Sequence, residues 1–320
     1  MPYDLIATLG PASHAPAIWQ AMLHAGATAF RLNTSHLTLP QLDQWLADLS
    51  TVNAPIVLDL QGSKWRLGEF TAFTLENGQT IQLTLAHSAT RSDVLPVPHA
   101  DFFQAAARSG GEIVLNDAKI KLQIESFTPT SISATVQLGG EIVAHKGLTY
   151  TRSDFRRETL SDKDRAIIAQ TRDRPGVRYA VSYVRDAVEM QNYRALIGNA
   201  YLIAKIERQS AVDGSAAIAA VSDELWVCRG DLGAELGLRG MAQAVHQITQ
   251  QVRNLPVPVI MAGQVLEHMT DHATPTRAEV CQLHDALYAG YGGCVLSDET
   301  AMGRQPVECV KMAAMFSERP

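Results

Sequence analysis

The sequence predicts an α/β fold, a (β/α)₈ TIM barrel with a small β-rich lid domain inserted after its third strand. Two observations predict it. Eight short apolar runs recur along the 320 residues, and an amphipathic segment with helical spacing follows most of them. Between the third strand and the third helix, residues 69–150 instead show alternating segments separated by glycine turns. Eight strands that alternate with helices are the elements of a (β/α)₈ barrel. In this fold the active site lies at the C-terminal ends of the strands.

The predicted strands are continuous apolar runs rich in β-branched residues, which is typical of parallel strands covered on both faces. They are Leu5–Leu9, Thr28–Leu32, Ile56–Leu60, Arg178–Tyr183, Tyr201–Ile206, Leu225–Cys228, Val257–Ala262 and Gly293–Ser297. The predicted helices carry apolar residues three and four positions apart. They are Ala17–Ala25, Leu39–Leu49, Ser161–Thr171, Ala187–Ile197, Val212–Val221, Gly240–Val252, Thr276–Ala289 and Pro306–Phe316.

The interval 69–150 contains almost no helical periodicity. Its turn signals are Asn77-Gly78, Gly110-Gly111 and Gly139-Gly140, and the segments 113–124 and 131–138 alternate in polarity. We therefore predict that residues 1–68 and 151–320 form the barrel and that residues 69–150 form a β domain. A domain inserted at the rim where barrel active sites lie is positioned to act as a lid.

Composition excludes several classes of protein. The chain has 27 Lys and Arg against 33 Asp and Glu, a net charge of −6, with 46% hydrophobic and 19% charged residues. This balance is ordinary for a globular protein and argues against a nucleic-acid or anionic-membrane partner, because both need a basic face. No apolar run approaches a membrane span, and the N-terminus lacks a signal-peptide layout. The four cysteines have no metal-ligand spacing, so we expect a reducing, cytoplasmic compartment.

Polar and charged residues follow most of the predicted strands directly. They are Arg31, Asn33, Ser35 and His36, then Asp59, Lys64 and Arg66, then Lys205 and Glu207, then Arg229, Gly230 and Asp231, then Gln264 and Glu267, and finally Ser297, Asp298, Glu299 and Thr300. One such group could be a solvated loop. Recurrence at strand ends predicts a single site in which these side chains converge.

The alternation of Lys205 and Glu207 along a strand places both side chains toward the barrel mouth. A Glu at one strand end and an Asp at the next can share a hard divalent cation such as Mg²⁺, which takes few protein carboxylates and leaves positions for substrate oxygens. Arginines and a lysine facing that metal would bind phosphate or carboxylate. The alternative is that Lys205 and Glu207 form an ion pair inside the barrel with a purely structural role.

Two other patterns carry weaker signals. His268 and His272 have the spacing of metal ligands on a helix, but Thr270, Asp271 and Pro275 favour a surface loop. Cys228 and Cys294 end apolar strands, which favours buried core thiols over nucleophiles.

Taken together, these clusters resemble the pyruvate kinase family. The matching segments follow family order over nearly the whole chain: 8–13 (TLGPAS), 30–36 (FRLNTSH), 58–62 (LDLQG) leading to Arg66, 204–207 (AKIE), 228–235 (CRGDLGAE), 275–279 (PTRAE) and 296–301 (LSDETA). Asn116-Asp117 and His145-Lys146-Gly147 resemble the lid domain of that family.

The resemblance implies Mg²⁺-dependent phosphoryl transfer between phosphoenolpyruvate, or a related enol phosphate, and ADP, giving pyruvate and ATP. Glu207 and Asp231 would bind Mg²⁺, and Lys205 would stabilise the phosphoryl group in transfer. The resemblance also implies that Arg31 and Arg66 bind phosphate and that Ser297 is a catalytic residue. The residues implied for substrate binding are Arg229, Gly230, Asp231 and Gly263. Those implied for nucleotide binding are Pro11, Asn33, His36, Asn116 and Lys146.

Asn33, Ser35 and Asp59 match the monovalent-cation site of the family, with the backbone of residue 60. Many members carry an acidic residue where this chain has Lys64, and Thr where it has Leu60. The Lys64 ammonium can supply the charge of a missing potassium ion. We therefore expect activity that does not require potassium.

Other departures concern the enolate pocket. Gly263 replaces a Thr whose hydroxyl touches substrate in the family, and Asp298 replaces a Gly beside Ser297. These changes leave two alternatives open: a Mg²⁺-enolate lyase or decarboxylase acting on a 2-oxo acid, and a non-catalytic nucleotide or metabolite sensor. The sequence also predicts that the C-terminal regulatory domain of the family is absent, and it leaves open a homodimer through barrel helices.

Overall fold

The computed structural model describes residues 3–106, 111–116, 119–150 and 160–317. The chain divides into two compact units. We call Met1–Gln61, Asp162–Arg229 and Ala242–Pro320 the barrel unit, and Gly62–Ser161 with Gly230–Met241 the inserted unit. The domain boundaries at 69 and 150 stay a prediction.

The first part of the barrel unit alternates strands with helices as predicted. Its elements are β1 (Asp4–Leu9), α1 (Pro16–His24), β2 (Ala29–Asn33), α2 (Leu39–Asp48) and β3 (Ile56–Leu60). Helix α2 begins with a capping box, because the Thr38 hydroxyl accepts from the Gln41 amide while the Gln41 side chain accepts from the Thr38 amide at 2.8 Å.

The inserted unit follows β3 and consists mainly of strands. Its elements are β4 (Trp65–Arg66), β5 (Phe73–Leu75), β6 (Thr80–Thr84), β7 (Val94–Pro96), α3 (Ala100–Ala105), β8 (Glu112–Leu115), β9 (Ile120–Thr128), β10 (Ser131–Leu138), β11 (Gly140–Ile142) and β12 (Gly147–Tyr150). Seven strands form a sheet in the order β4-β12-β8-β9-β10-β6-β7, and β11 pairs with β5. Alternate residues of β9 and β10 are buried, which gives this unit a hydrophobic core of its own.

The chain then completes the barrel unit. Its elements are α4 (Asp162–Thr171), β13 (Val177–Val181), α5 (Ala187–Ile197), β14 (Tyr201–Ile206), α6 (Gln209–Asp213), α7 (Ser215–Ala219), β15 (Glu224–Cys228), α8 (Arg229–Gln251), β16 (Val259–Ala262), α9 (Arg277–Ala289), β17 (Gly293–Leu296), α10 (Asp298–Ala301) and α11 (Pro306–Ala314). Residues 230–241 of α8 are grouped with the inserted unit.

Eight parallel strands close into a barrel in the order β1-β17-β16-β15-β14-β13-β3-β2. Inward-facing side chains from every strand form one buried apolar layer, namely Ile6, Ala29, Val57, Ala180, Ile203, Trp226, Ile260 and Val295. The predicted (β/α)₈ barrel with a β-rich insertion after β3 is confirmed. Among the described residues, no helix has the length and apolar character that crossing a membrane requires.

Three elements differ from the sequence predictions. The helix predicted over 212–221 is two short helices, α6 and α7, on either side of Gly214. Helix α8 begins at Arg229 rather than Gly240 and is interrupted at Gly237, whose φ is 69°. Glycine is a poor helix former, so the glycine-rich segment before Gly240 was not predicted to be helical. Helix α3 was also missed, because it is short and carries few apolar repeats.

The N-terminal ends of the barrel strands enclose a buried polar cluster. Glu224, the first residue of β15, is only 1% exposed. Its carboxylate accepts hydrogen bonds from the Tyr201 hydroxyl at 3.1 Å and from the Trp226 indole. The Arg178 guanidinium lies 4.5 Å from the centre of the Tyr201 ring. Burial, together with the negative charge of Asp4, raises the pKa of the Glu224 carboxyl to about 7.

This cluster predicts that the protein loses stability as the pH rises. Folded Glu224 keeps its proton up to about pH 7, whereas the unfolded carboxyl releases it near 4.5. The stabilisation is therefore complete below pH 4.5 and lost as the pH rises through 7, a loss of about 3 kcal/mol. Urea unfolding at pH 5 and pH 8 measures it, and Glu224→Gln should remove most of this difference.

The matched control is Glu125→Gln, which makes the same chemical change at an exposed position of β9. It should keep the wild-type difference between pH 5 and pH 8. An unaltered pH dependence in Glu224→Gln would show that this carboxyl does not hold a proton in the folded protein.

Candidate active site

Four adjacent strands of the barrel unit bring polar side chains together at their C-terminal ends. Arg31 lies on β2, Asp59 on β3 and Lys205 on β14, while Ser182 directly follows β13. These strands are neighbours in the order β14-β13-β3-β2. Because side chains alternate along a strand, the four groups point inward, one layer above the apolar layer.

Asp59 is the centre of this cluster. Its Oδ2 lies 2.7 Å from Arg31 Nε and 2.5 Å from Arg31 Nη2, and Lys205 Nζ lies 3.1 Å from both carboxylate oxygens. The Ser182 hydroxyl donates to Asp59 Oδ1 at 3.0 Å and accepts from Lys205 Nζ at 2.9 Å. The Thr8 hydroxyl accepts from Arg31 Nη1 at 3.0 Å. One buried carboxylate thus fixes two cations.

The opposite charges in the cluster keep Asp59 and Lys205 ionised despite their burial. Burial disfavours the charged form of Asp59, but the Lys205 ammonium and the Arg31 guanidinium outweigh it and hold the pKa of this carboxyl below its usual value. Burial likewise opposes the charge on Lys205, yet Asp59 and Glu207 raise the pKa of its ammonium. Lys205 is therefore a cation at every pH at which the protein is expected to work, although it is only 8% exposed.

Glu207 lies directly after β14 and is completely buried. Its Oε1 is 3.0 Å from Lys205 Nζ, and its Oε2 accepts from the Tyr183 backbone amide at 2.7 Å. Tyr183 has a φ of 61°, which is rare for a bulky residue, and the Arg208 guanidinium lies 5.0 Å from the centre of its ring. The hydrogen bond from the Tyr183 amide, together with the Lys205 ammonium, fixes the Glu207 carboxylate.

The ion pair between Lys205 and Glu207, considered above as the structural alternative, is therefore present. It is compatible with metal binding, since each carboxylate oxygen can accept more than one partner. Among the residues described here, no group of three or more His, Cys, Asp and Glu side chains is arranged to hold a metal ion. Mg²⁺ needs only one or two carboxylates when substrate and water supply the other oxygens, so a buried glutamate fits Mg²⁺.

The loop after β16 is held from two directions. Arg229 donates to the Gly263 carbonyl from Nε at 2.9 Å and from Nη2 at 2.6 Å, and to the Gln264 carbonyl at 2.7 Å. Glu299 accepts from the Leu266 amide at 3.0 Å and from the Ser297 amide at 2.6 Å. Arg229 thus binds backbone within the barrel unit, and Ser297 is tied to the same loop through Glu299.

The backbone of this loop is unusual. Gly263 has a φ of 79° and Gln264 a φ of 55°, so two successive residues adopt left-handed conformations. Glycine reaches this region without steric cost, whereas a residue with a branched Cβ does not. Burial lowers the pKa of the Arg229 guanidinium and raises that of the Glu299 carboxyl. The conformation at Gly263 therefore depends on two buried polar side chains.

The inserted unit brings together a second group of candidates. Lys64 forms an ion pair with Asp231, and a Cβ atom added to Gly147 would lie 2.5 Å from Lys64 Cε. Arg66 Nη1 donates to the His145 carbonyl at 2.9 Å, and the neighbouring Lys146 carbonyl accepts from Leu67 at 3.0 Å. The glycine at position 147 leaves room for the Lys64 side chain that reaches Asp231.

The remaining candidates lie on short turns. Pro11 and His36 are exposed on 3-10 helices that follow β1 and β2. Asn33 caps the second of these, because its Oδ1 accepts from the Ser35 amide at 3.2 Å. In the inserted unit, Gly230 lies in the first turn of α8, and the Asn116 amide donates to the Gly147 carbonyl at 3.3 Å. Asp117 lies outside the described residues.

Sequence reasoning missed Ser182 and Tyr183 and treated Thr8 only as part of a motif. Ser182 carried a usable signal, because it lies two residues from the inward-facing Ala180 and therefore on the same face of the strand. The role of Tyr183 depends on a backbone angle and has no sequence signal.

The three buried cysteines of the barrel unit are not suited to nucleophilic chemistry. Cys228, Cys294 and Cys309 are buried, and burial raises the pKa of the Cys294 and Cys309 thiols to about 12. A thiol that stays protonated is a poor nucleophile. The interpretation of Cys228 and Cys294 as core residues is consistent with their burial.

Comparison with known proteins agrees with the fold. The family model for the barrel domain of pyruvate kinase matches residues 3–310. The chain is 35% identical to the pyruvate kinase of Methylorubrum extorquens over 98% of this chain and 68% of that protein. It is 32% identical to a pyruvate kinase of Agrobacterium vitis and 30% identical to pyruvate kinase 2 of a Synechocystis species, again over 98% of this chain, and covers 67% and 56% of those proteins. The chain therefore belongs to the pyruvate kinase family.

Proposed function

We propose that this member of the family transfers a phosphoryl group between phosphoenolpyruvate and ADP, giving pyruvate and ATP. The observation that carries the proposal is the buried Lys205 ammonium, held between Asp59 and Glu207 at the C-terminal end of the barrel. A fixed cation at this position is suited to a phosphoryl group in transfer, because that transition state is stabilised mainly by positioning and charge. The pyruvate kinases named above support the same reaction class.

In this reaction the bond between the enol oxygen and phosphorus breaks, while a β-phosphate oxygen of ADP forms a new bond to phosphorus. The enolate that remains takes up a proton at its terminal carbon and becomes pyruvate. Lys205 would balance the charge of the phosphoryl oxygens, and Arg31, already oriented by Asp59 at 2.7 Å, would orient the phosphate before transfer. Ser297 would act on the enolate side.

We assign Mg²⁺ to Glu207, and the family resemblance adds Asp231 as a second carboxylate. When bound, the ion would neutralise substrate oxygens and orient them. Tyr183 keeps the Glu207 carboxylate in one orientation through its 2.7 Å hydrogen bond. The backbone near Gly230 and Asp231 would hold the substrate carboxylate.

The remaining roles follow the same resemblance. Arg66 would bind phosphate, and Arg229 and Gly263 would shape the substrate pocket. Nucleotide would be bound by Pro11, Asn33, His36, Asn116 and Lys146. No observation favours the lyase, decarboxylase or sensor alternatives over phosphoryl transfer. The cytoplasmic location and a homodimer through barrel helices stay predictions from the sequence.

Substitution of Lys205 tests the proposed reaction. Lys205→Met should lower kcat for pyruvate formation from phosphoenolpyruvate and ADP by at least about 100-fold, because the charge facing the transferred group is lost. A coupled assay with Mg²⁺ measures it. The substitution also leaves two buried carboxylates without their cation, at a cost of about 3–5 kcal/mol of stability.

Lys205→Arg separates these effects, since it keeps the positive charge but alters where that charge lies. We expect it to fold normally and still lose most of kcat. Lys311→Met, at an exposed position of α11, is the matched control and should retain full activity. Wild-type turnover in Lys205→Arg and Lys205→Met would refute the role of Lys205.

A second proposal concerns monovalent cations. Asn33 and Asp59 are paired in the ladder between β2 and β3, and Asn33 Oδ1 accepts from the Ser35 amide. These oxygens are suited to potassium, yet the Asp59 carboxylate already has Arg31 and Lys205 as cationic partners. With Lys64 as a further fixed cation, we propose that the protein does not require potassium.

We expect equal rates in potassium and sodium salts at fixed ionic strength. Lys64→Glu should lower the rate in sodium and recover part of it in potassium, because the fixed positive charge is replaced by a negative one. Lys121→Glu makes the same charge change at a half-buried position of β9 and should leave the rates equal. A strict potassium requirement in the wild-type protein would overturn this proposal.

The third prediction concerns Gly263. Gly263→Thr introduces the residue usual in the family but forces a β-branched side chain to a φ of 79°. We expect a loss of about 1–2 kcal/mol in the free energy of unfolding. We also expect a fall of roughly tenfold or more in kcat/KM for phosphoenolpyruvate, because the carbonyls held by Arg229 shift.

Gly78→Thr is the matched control, since Gly78 has a φ of 81° with no other atom within 4 Å of an added Cβ. It should lose comparable stability and keep wild-type kinetics. Unchanged kinetics in Gly263→Thr would show that this loop does not shape the substrate pocket.

A further inference from the structure

The two histidines His268 and His272 form a compact pair on the surface of the barrel unit. His268 lies in a 3-10 helix over Glu267–Thr270, and the His272 amide donates to the His268 carbonyl at 3.0 Å, as in one helical turn. Their rings stack with centroids 3.8 Å apart and planes inclined by 9°. We propose that His268 and His272 form a two-histidine site for a transition-metal ion of the Zn²⁺, Ni²⁺ and Cu²⁺ class.

The hydrogen bonds of both rings define which nitrogen is available. His268 Nδ1 lies 2.8 Å from the Thr274 carbonyl, and His272 Nδ1 lies 3.1 Å from the His268 carbonyl. A carbonyl oxygen can only accept, so each Nδ1 carries the proton and each neutral ring keeps the lone pair on Nε2. In the part of the chain that the structure describes, no protein hydrogen bond involves either Nε2 atom. Metal-binding histidines commonly have this arrangement, with the distal nitrogen donating to a carbonyl.

The backbone that carries the pair is fixed on both sides. The His268 amide donates to Glu279 Oε1 at 2.9 Å, and the Arg304 amide donates to the Thr270 carbonyl at 3.2 Å. Met269, between the histidines, is 1% exposed and anchors the turn in the core. The backbone is therefore already ordered, and only the two side chains need to move when both rings bind one ion.

The spacing of the rings suits one ion. Metal-to-nitrogen bonds of about 2.0–2.1 Å can join two nitrogens up to about 4 Å apart. The ring planes are nearly parallel, so binding requires the rings to rotate until both Nε2 atoms point at one ion. Water would complete the coordination. Imidazole favours Zn²⁺, Ni²⁺ and especially Cu²⁺, whereas Mg²⁺ prefers oxygen, so this site is chemically distinct from that of Glu207.

Titration calorimetry of the full chain with Ni²⁺ tests the proposal without an activity measurement. We expect one site per chain in the wild-type protein at pH 7.5, with affinity that falls as the pH is lowered, because protons compete for the imidazoles. His268→Ala and His272→Ala should each weaken binding by roughly tenfold or more, because one of two ligands is lost. Excess Mg²⁺ should not displace Ni²⁺.

His284→Ala is the matched control, because His284 is 54% exposed on α9 and pairs with Asp285 instead of another histidine. It should bind Ni²⁺ as the wild type does. Histidine proton resonances supply a second measurement, since paramagnetic Ni²⁺ should broaden two ring signals that His268→Ala and His272→Ala remove. Absence of binding, or binding unchanged in both alanine variants, would overturn the site.

Discussion

The buried carboxylate of Asp59 is the interaction on which the rest of the candidate site depends. It holds Arg31 at 2.7 Å and Lys205 at 3.1 Å, and Glu207 balances Lys205 on its other side. Two cations and two carboxylates sum to zero, so the cluster can be buried without a net charge. This balance explains how a lysine that is only 8% exposed remains charged.

The barrel separates two polar regions by an apolar layer. Above that layer lies the cluster of Asp59 and Lys205, and below it the carboxyl of Glu224 with Tyr201 and Trp226. The lower cluster lies at the N-terminal strand ends, where barrel residues contribute to stability rather than catalysis. The sequence motifs that resemble the family include Asp59 and Lys205 of the upper cluster and do not include Glu224. The same fold thus has its candidate active site at one end of the barrel and, at the other, the carboxyl for which we expect a pH-dependent contribution to stability.

Much of the fold could be predicted from the sequence, because continuous apolar strands and the helices between them have clear periods. Strand alternation also placed Lys205 and Glu207 together correctly. The features that could not be predicted from the sequence depend on tertiary structure. They are the left-handed backbone of Tyr183, the hydrogen bonds from Arg229 to loop carbonyls, and the interruption of α8 at Gly237. For His268 and His272 the spacing was visible, but the tautomers follow only from carbonyls that the folded loop supplies.

Arg229 shows how a charged residue can become part of the backbone framework. Its guanidinium holds the Gly263 carbonyl with two nitrogens, Nε at 2.9 Å and Nη2 at 2.6 Å, and Nη2 also donates to the Gln264 carbonyl at 2.7 Å. Lysine would keep the charge, but it has one nitrogen in place of the planar pair that holds the Gly263 carbonyl. A codon change from arginine to lysine here would keep the charge and weaken the hydrogen bonds that hold the loop. We therefore expect selection to preserve arginine at this position, as it would preserve a residue that touches substrate.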